Sequence, residues 1–211
     1  MSVQRGRGRL GYNMMLFDMG VEIQPQLTPD EVLQAVEAAD QLFDVVMVAE
    51  RLDESLILMK EKFCWKFSDI VFFTKNARRN DNVLKLSKEN VDKLRLLNSA
   101  DVLLYKHFLA KHERAVMQYG ETKMAEQIKL LNSYRMKIFK SCNVIVAQSF
   151  QPESIFREFS DQVNGYIVDT NASDDCLLLT LPELSLVEMI RRKNLQLVNM
   201  AYAKERSANR K

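Results

Sequence analysis

From Leu42 to Ala49 the chain reads Leu-Phe-Asp-Val-Val-Met-Val-Ala, and every residue after Asp44 is apolar. Such a run, rich in β-branched valine, is too short to make a helix of its own. It also lacks the apolar–polar alternation of a strand with one wet face. It predicts a strand buried on both faces, as in a parallel sheet. The residues before it read as a helix start. Thr28 is the N-cap, Pro29 takes the first helical position and Glu31 closes a capping box. Val32, Leu33, Val36 and Ala39 then form an apolar stripe. After the run, Asp53 can cap a helix that continues from Leu56 to Trp65, and Ile70–Thr74 is a second short strand. Helix, strand, helix, strand is the order of an α/β domain.

Beyond Ser87, a good N-cap, the period turns helical. Val91, Leu94 and Leu97 fit one face. Val102, Tyr105, Leu109, His112 and Val116 continue at spacings of three and four. Gly120 is a break, and Met124, Ile128, Leu131, Tyr134, Ile138 and Cys142 make the next stripe. These stripes are expected to pack on the chain's own sheet. Val144–Phe150 reads as a short strand and 151–175 as loops. A last helix starts after Pro182, with fraying beyond Lys204.

The formal charge is +2, from 30 basic and 28 acidic residues, which argues against non-specific nucleic-acid binding. The 211 residues suffice for one sizeable core. No run of about 18 apolar residues offers a membrane span. Cys64, Cys142 and Cys176 include no C-x-x-C pair, so no structural zinc site is expected.

Few motifs carry chemistry. Gly6-Arg7-Gly8-Arg9-Leu10-Gly11 matches G-x-G-x-x-G, but only five residues precede it, so the required strand is missing. None of the six glycines sits after a buried strand beside a Lys-Ser or Lys-Thr pair, as a phosphate cradle requires. His107 and His112 are five apart, off the stacking register of a helical metal pair, and His112 lies on the apolar stripe as a core residue. No G-x-S-x-G supports a serine hydrolase. The basic cluster Lys75, Asn76, Arg78 and Arg79 follows the Ile70–Thr74 segment. Ligands of open α/β sheets bind at such strand ends, and arginine suits phosphate or sulfate. A solvated turn is the competing account. Asn171-Ala172-Ser173 is an N-glycosylation sequon in an expected surface loop.

Several ordered blocks resemble the galactose 3-O-sulfotransferases. They are Met15-Leu16-Phe17-Asp18-Met19-Gly20, Phe43 to Glu50 with Asp53-Glu54-Ser55-Leu56 and Cys64-Trp65, then Asn76-Ala77-Arg78-Arg79. Leu97-Asn98, Asp101 and Leu104-Tyr105-Lys106-His107-Phe108 follow in the same order. Gly165-Tyr166, Cys176 and Pro182-Glu183 are similar to the closing segment. The resemblance implies an α/β, P-loop-like sulfotransferase fold, incomplete here, with a short parallel sheet and a helix-rich carboxyl-terminal half. Residues 1–148 would be the carboxyl-terminal part of the sulfotransferase domain, and 149–211 a loop-rich closing segment with a terminal helix.

The resemblance further implies sulfate transfer from phosphoadenosine phosphosulfate, a cosubstrate rather than a tightly bound cofactor, to the 3-hydroxyl of galactose on a glycolipid or glycan. It implies a Golgi membrane protein with a lumenal domain. The membrane would be reached only through an anchor that, like the family's donor loops, lies upstream of these blocks. The chain alone is therefore expected to be inactive and cytosolic. Lys75, Asn76, Arg78, Arg79 and His107 are the candidates for donor or acceptor contacts, Glu50 is structural, and no catalytic base or metal ligand is assigned. An oxidising lumen would permit a Cys142–Cys176 disulfide, with Cys64 a buried thiol beside Trp65, and a glycan on Asn171. The alternative function is a non-catalytic relative acting as a helical interaction module.

Overall fold

The computed structural model describes residues 12–22, 27–74, 85–147, 165–169 and 171–208. They fold as helices α1 (Met14–Asp18), α2 (Pro29–Leu42), α3 (Leu52–Lys62), α4 (Phe67–Ile70), α5 (Lys88–Leu97), α6 (Ser99–Tyr119) and α7 (Glu121–Ser141). Strands β1 (Ile145–Ala147) and β2 (Gly165–Ile167) and helices α8 (Asp174–Thr180) and α9 (Glu183–Ala208) follow. They belong to two compact units. The first comprises Met1–Ile70 with Lys85–Leu131, the second Val71–Leu84 with Asn132–Lys211.

In the first unit α2 starts as its sequence dictates. Thr28 accepts the Glu31 amide, and Glu31 returns a carboxylate to the Thr28 amide at 2.8 Å, closing the capping box. Its buried residues are Val32, Val36 and Ala39, while Leu33 is exposed. They pack with Leu16 of α1 and with Ala100, Leu104 and Phe108 of α6. The buried line of α6 runs Ala100, Leu104, Phe108, His112 and Val116. Of the expected stripe, His112 and Val116 lie on this line, while Tyr105 and Leu109 stand one residue, or roughly 100°, off it. The α6 stripe meets α1 and α2 rather than a sheet, whereas Ile138 and Cys142 at the end of the α7 stripe join a cluster that includes Tyr166 of β2.

Leu42–Ala49 also departs from expectation. Leu42 ends α2, Phe43 and Val48 have extended dihedrals, and Ala49–Arg51 is a 3-10 turn leading directly into α3. Val48 is buried, but Leu42, Phe43 and Met47 are exposed. Among the described residues no hydrogen bond reaches the amides of residues 44–47. The segment bends at Asp44, is extended at Phe43 and Val48, and forms no ladder among the described residues. Because the 3-10 turn feeds α3, Asp53 sits in its first turn rather than capping it. Ile70–Thr74 is likewise no strand. Ile70 closes α4, and 71–74 continue without a ladder.

In the second unit β1 and β2 pair antiparallel, Ile145 opposite Ile167 and Ala147 opposite Gly165. This is the sheet of the described residues, in place of the parallel one expected. A three-residue ladder has little stability alone. It is supported by a cluster of Phe73, Cys142, Val144 and Val168, with Phe139 and Tyr166 stacked around Phe73 at ring distances of 5.4 Å. The Tyr166 hydroxyl donates to the Thr74 carbonyl at 2.8 Å. Cys142 and Cys176 form a disulfide with Cα atoms 5.6 Å apart. α9 continues past Lys204 to Ala208.

Three helices stop in one way. Gly20, Cys64 and Asn143 take positive φ just beyond α1, α3 and α7. The following amides, on Val21, Trp65 and Val144, reach back to Leu16, Lys60 and Phe139. This is the Schellman stop, which favours glycine or asparagine at the left-handed residue. At Cys64 the turn swings the thiol outward, so it is exposed rather than buried.

Candidate functional site

A cleft in the first unit lies between segment 44–46, α3 and α6. It measures about 240 Å³ and is lined by Asp44, Val45, Val46, Ser55, Leu58, Lys62, Phe108, Lys111, His112 and Ala115. The wall is largely apolar, because Leu58 and Phe108 project from the faces on which α3 and α6 meet.

One buried polar chain crosses it. The Val48 amide donates to Ser55 Oγ at 3.0 Å, and Ser55 Oγ lies 3.0 Å from His112 Nε2. Ser55 and His112 are 2% and 5% exposed. Beyond His112, Nδ1 stands 3.9 Å from Glu54 Oε2, too far for a hydrogen bond. Glu54 is instead held by Arg51 Nε at 2.6 Å. Burial, followed by the charge of Arg51, lowers the His112 pKa below its usual 6.5, while Glu54 and Glu113 pull the other way. A neutral imidazole satisfies the chain best when Ser55 donates to Nε2 and the Nδ1–H faces Glu54.

This chain shares three residue types with a hydrolase triad but not its geometry. Ser55 Oγ is enclosed and committed to a backbone amide, and the acid does not reach the imidazole. Its effect is positional, fixing the end of segment 43–48 against α3 and α6.

Glu50 accepts a hydrogen bond from the Tyr105 hydroxyl, which holds its carboxyl below the usual range and pushes the phenol up. His107 Nε2 lies 3.3 Å from Asp40 Oδ2, and Lys111 bonds the same carboxylate, so both tie α6 to α2. Lys62 donates to the Asp44 carbonyl at 3.0 Å. Both lysines lining the cleft thus have partners within the first unit. Lys75, Asn76, Arg78 and Arg79 lie outside the described residues, as do Gly6, Gly8 and Gly11. Asn171, Cys142 and Cys176 belong to the second unit. Among the described residues no group of three or more His, Cys, Asp or Glu side chains could hold a metal ion. No described helix is long and apolar enough to cross a membrane.

Sequence reasoning missed two features. The Ser55–His112 pair joins residues 57 apart, and neither carries a motif that announces the other. The second is a tether at α1. Asn13 accepts the amides of Ala100 and Asp101 at 3.2 Å and donates its own amide to Asn98 at 2.9 Å, while Asp101 accepts the amides of Met15 and Leu16. Asn98 and Asp101 both fall in the ordered blocks, and that was the available signal.

The profile of a family described as galactose-3-O-sulfotransferase matches residues 5–159. A galactosylceramide sulfotransferase of Bos taurus is 31% identical over 130 residues, 62% of this chain and 31% of the relative. The Mus musculus protein of that name is 34% identical over 116 residues, 55% of this chain and 27% of the relative. A galactose-3-O-sulfotransferase 4 of Homo sapiens is 29% identical over 175 residues, 73% and 36% of the two chains. The chain thus spans about a third of the length of these relatives. No solved structure matches it.

Proposed function

The chain belongs to the galactose-3-O-sulfotransferase family, and from that premise we propose that it serves sulfuryl transfer from phosphoadenosine phosphosulfate to the 3-hydroxyl of a galactose on a glycolipid or glycan. The family match over residues 5–159 carries this reading. The names of the relatives make galactosylceramide the first acceptor to assay. Residues 1–148 are proposed as sulfotransferase domain and 149–211 as its closing segment. In a P-loop-like fold, segment 43–48 would be a sheet strand. Its apolar side chains, and the amides of 44–47 that have no partner among the described residues, support that role. The proposed address is the Golgi lumen, which would bring the Asn171 sequon within reach of glycosylation.

Oxyanion stabilisation in sulfuryl transfer needs cations or amides placed at the transferring group. Arg78 and Arg79, with Lys75 and Asn76, are proposed to supply part of it, and His107 to act indirectly through Asp40. The 211 residues alone are expected to bind the donor weakly and to transfer nothing. Calorimetry showing micromolar donor affinity would overturn that expectation. In any form of the protein that does turn over, Arg78→Ala and Arg79→Ala lower the transfer of labelled sulfate to galactosylceramide. Unchanged turnover in both would make the cluster a solvated turn.

A second reading, a non-catalytic interaction module, draws on α9, where Leu184, Val187, Ile190, Leu195 and Val198 are exposed. Folded protein that transfers no sulfate in any form would favour it.

A further inference from the structure

All three residues of the Asn171 sequon are engaged in the folded chain. The Asn171 amide donates to Asp169 Oδ1 at 2.9 Å, which holds the turn after β2, although Asn171 itself is exposed. Ala172 packs against the Phe73, Cys142, Val144 and Val168 cluster. Ser173 is the N-cap of α8, its Oγ accepting the Cys176 amide at 3.4 Å. Cys176, five residues after Asn171, is fastened to Cys142. The sequon hydroxyl therefore caps the helix turn that the disulfide pins to the core.

N-glycosylation takes the sequon as an extended peptide and needs its serine hydroxyl free to be recognised. A turn whose serine caps a covalently pinned helix meets neither condition. We propose that Asn171 accepts glycan only while Cys142 and Cys176 are thiols, so that disulfide closure and glycosylation compete for one turn. This rests on the lumenal placement proposed above. In glycosylation, Asn171 Nδ2 bonds to the anomeric carbon of a lipid-pyrophosphate oligosaccharide. The bond from that carbon to the pyrophosphate oxygen breaks, and the amide proton leaves to a base. In closure, the two thiols give two electrons and two protons to the disulfide of a thiol oxidoreductase, which becomes a dithiol. Whichever comes first decides the modification state.

The test places the 211-residue chain behind a cleavable secretory leader in mammalian cells and reads a glycosidase-sensitive mobility shift. A Cys64→Ser background removes the remaining cysteine. Asn171→Gln assigns the shift. Phe73→Ala loosens the same core with both bridging cysteines intact. Wild type is expected to leave an unshifted fraction. Cys142→Ser and Cys176→Ser, or a pulse of dithiothreitol during synthesis, remove that fraction, and Phe73→Ala does not. Equal occupancy in wild type and both cysteine variants overturns the proposal. So does Phe73→Ala raising occupancy as far as they do, which would reduce the effect to general loosening. The leader fixes the compartment whatever the native address, so none of these outcomes bears on sulfuryl transfer.

Discussion

The two units solve the same problem with different chemistry. In the first, helices bury Leu16, Val32, Val36, Leu104 and Phe108 together, and polar side chains tie segments far apart in sequence: 57 residues for Ser55–His112 and 88 for Asn13–Asp101. In the second, a three-residue ladder and one aromatic cluster are backed by a covalent link across 34 residues. Among the described residues the difference goes with the size of the buried cluster, seven residues in the first unit and four in the second. A large apolar interface fixes geometry well enough for buried hydrogen bonds to form with little further entropy loss. A small one does not, and restricting the unfolded chain is the remaining route to stability.

The sharpest way to break this comparison is to open the disulfide. A closed loop of 34 residues corresponds to about 4 kcal/mol of unfolded-state entropy. Cys176→Ser should therefore remove most amide-exchange protection from β1, β2 and α8 while leaving α2 and α6 protected. Equal loss in α6 would mean that the units do not differ as described. Leu104→Ala, at a site 3% exposed in the helical core, is expected to cost about 3 kcal/mol. It should lower the urea midpoint of the first unit without loss of amide-exchange protection in β1, β2 and α8.

Asp101→Asn keeps the size of the side chain but removes the charge that accepts the Met15 and Leu16 amides. A loss of about 1–2 kcal/mol should appear as faster exchange at those two amides, with α2 unchanged. The smallest effect is a pH dependence. The folded pKa of His112 is lowered, so the unfolded chain takes up its proton first as pH falls. The stabilisation is complete above the unfolded value near 6.5. It is lost as pH drops from there through the lower folded value. Urea midpoints between neutral and mildly acidic pH should show this slope, and His112→Gln should remove its share.

What the sequence made legible was local. Thr28 with Glu31, Ser87, Gly120 and Pro182 mark helix ends, and each lies at the end of a helix. Their effect is exerted within one turn, so neighbours suffice to read them. The α6 stripe was harder. Tyr105 and Leu109 keep the same spacing of four as Leu104 and Phe108, and the elements packed on α6, far away in sequence, decide which pair goes inward. Segment 42–49 shows the same limit. Its valines record a preference for extended backbone, which Phe43 and Val48 adopt, but pairing depends on residues elsewhere. At the candidate site, the apolar stripe revealed that His112 is buried. Its serine could not be found that way, because a contact across 57 residues has no period.

The Asn13 tether also has a consequence in time. The start of α1 is anchored to a residue made 85 positions later. A ribosome adding about 5–20 residues per second needs roughly 4–17 s to supply it. Through that interval Leu16, wholly enclosed in the finished fold, has no pocket to enter. The nascent chain must carry this apolar turn uncovered for seconds, and a factor that shields emerging peptides has a handhold there.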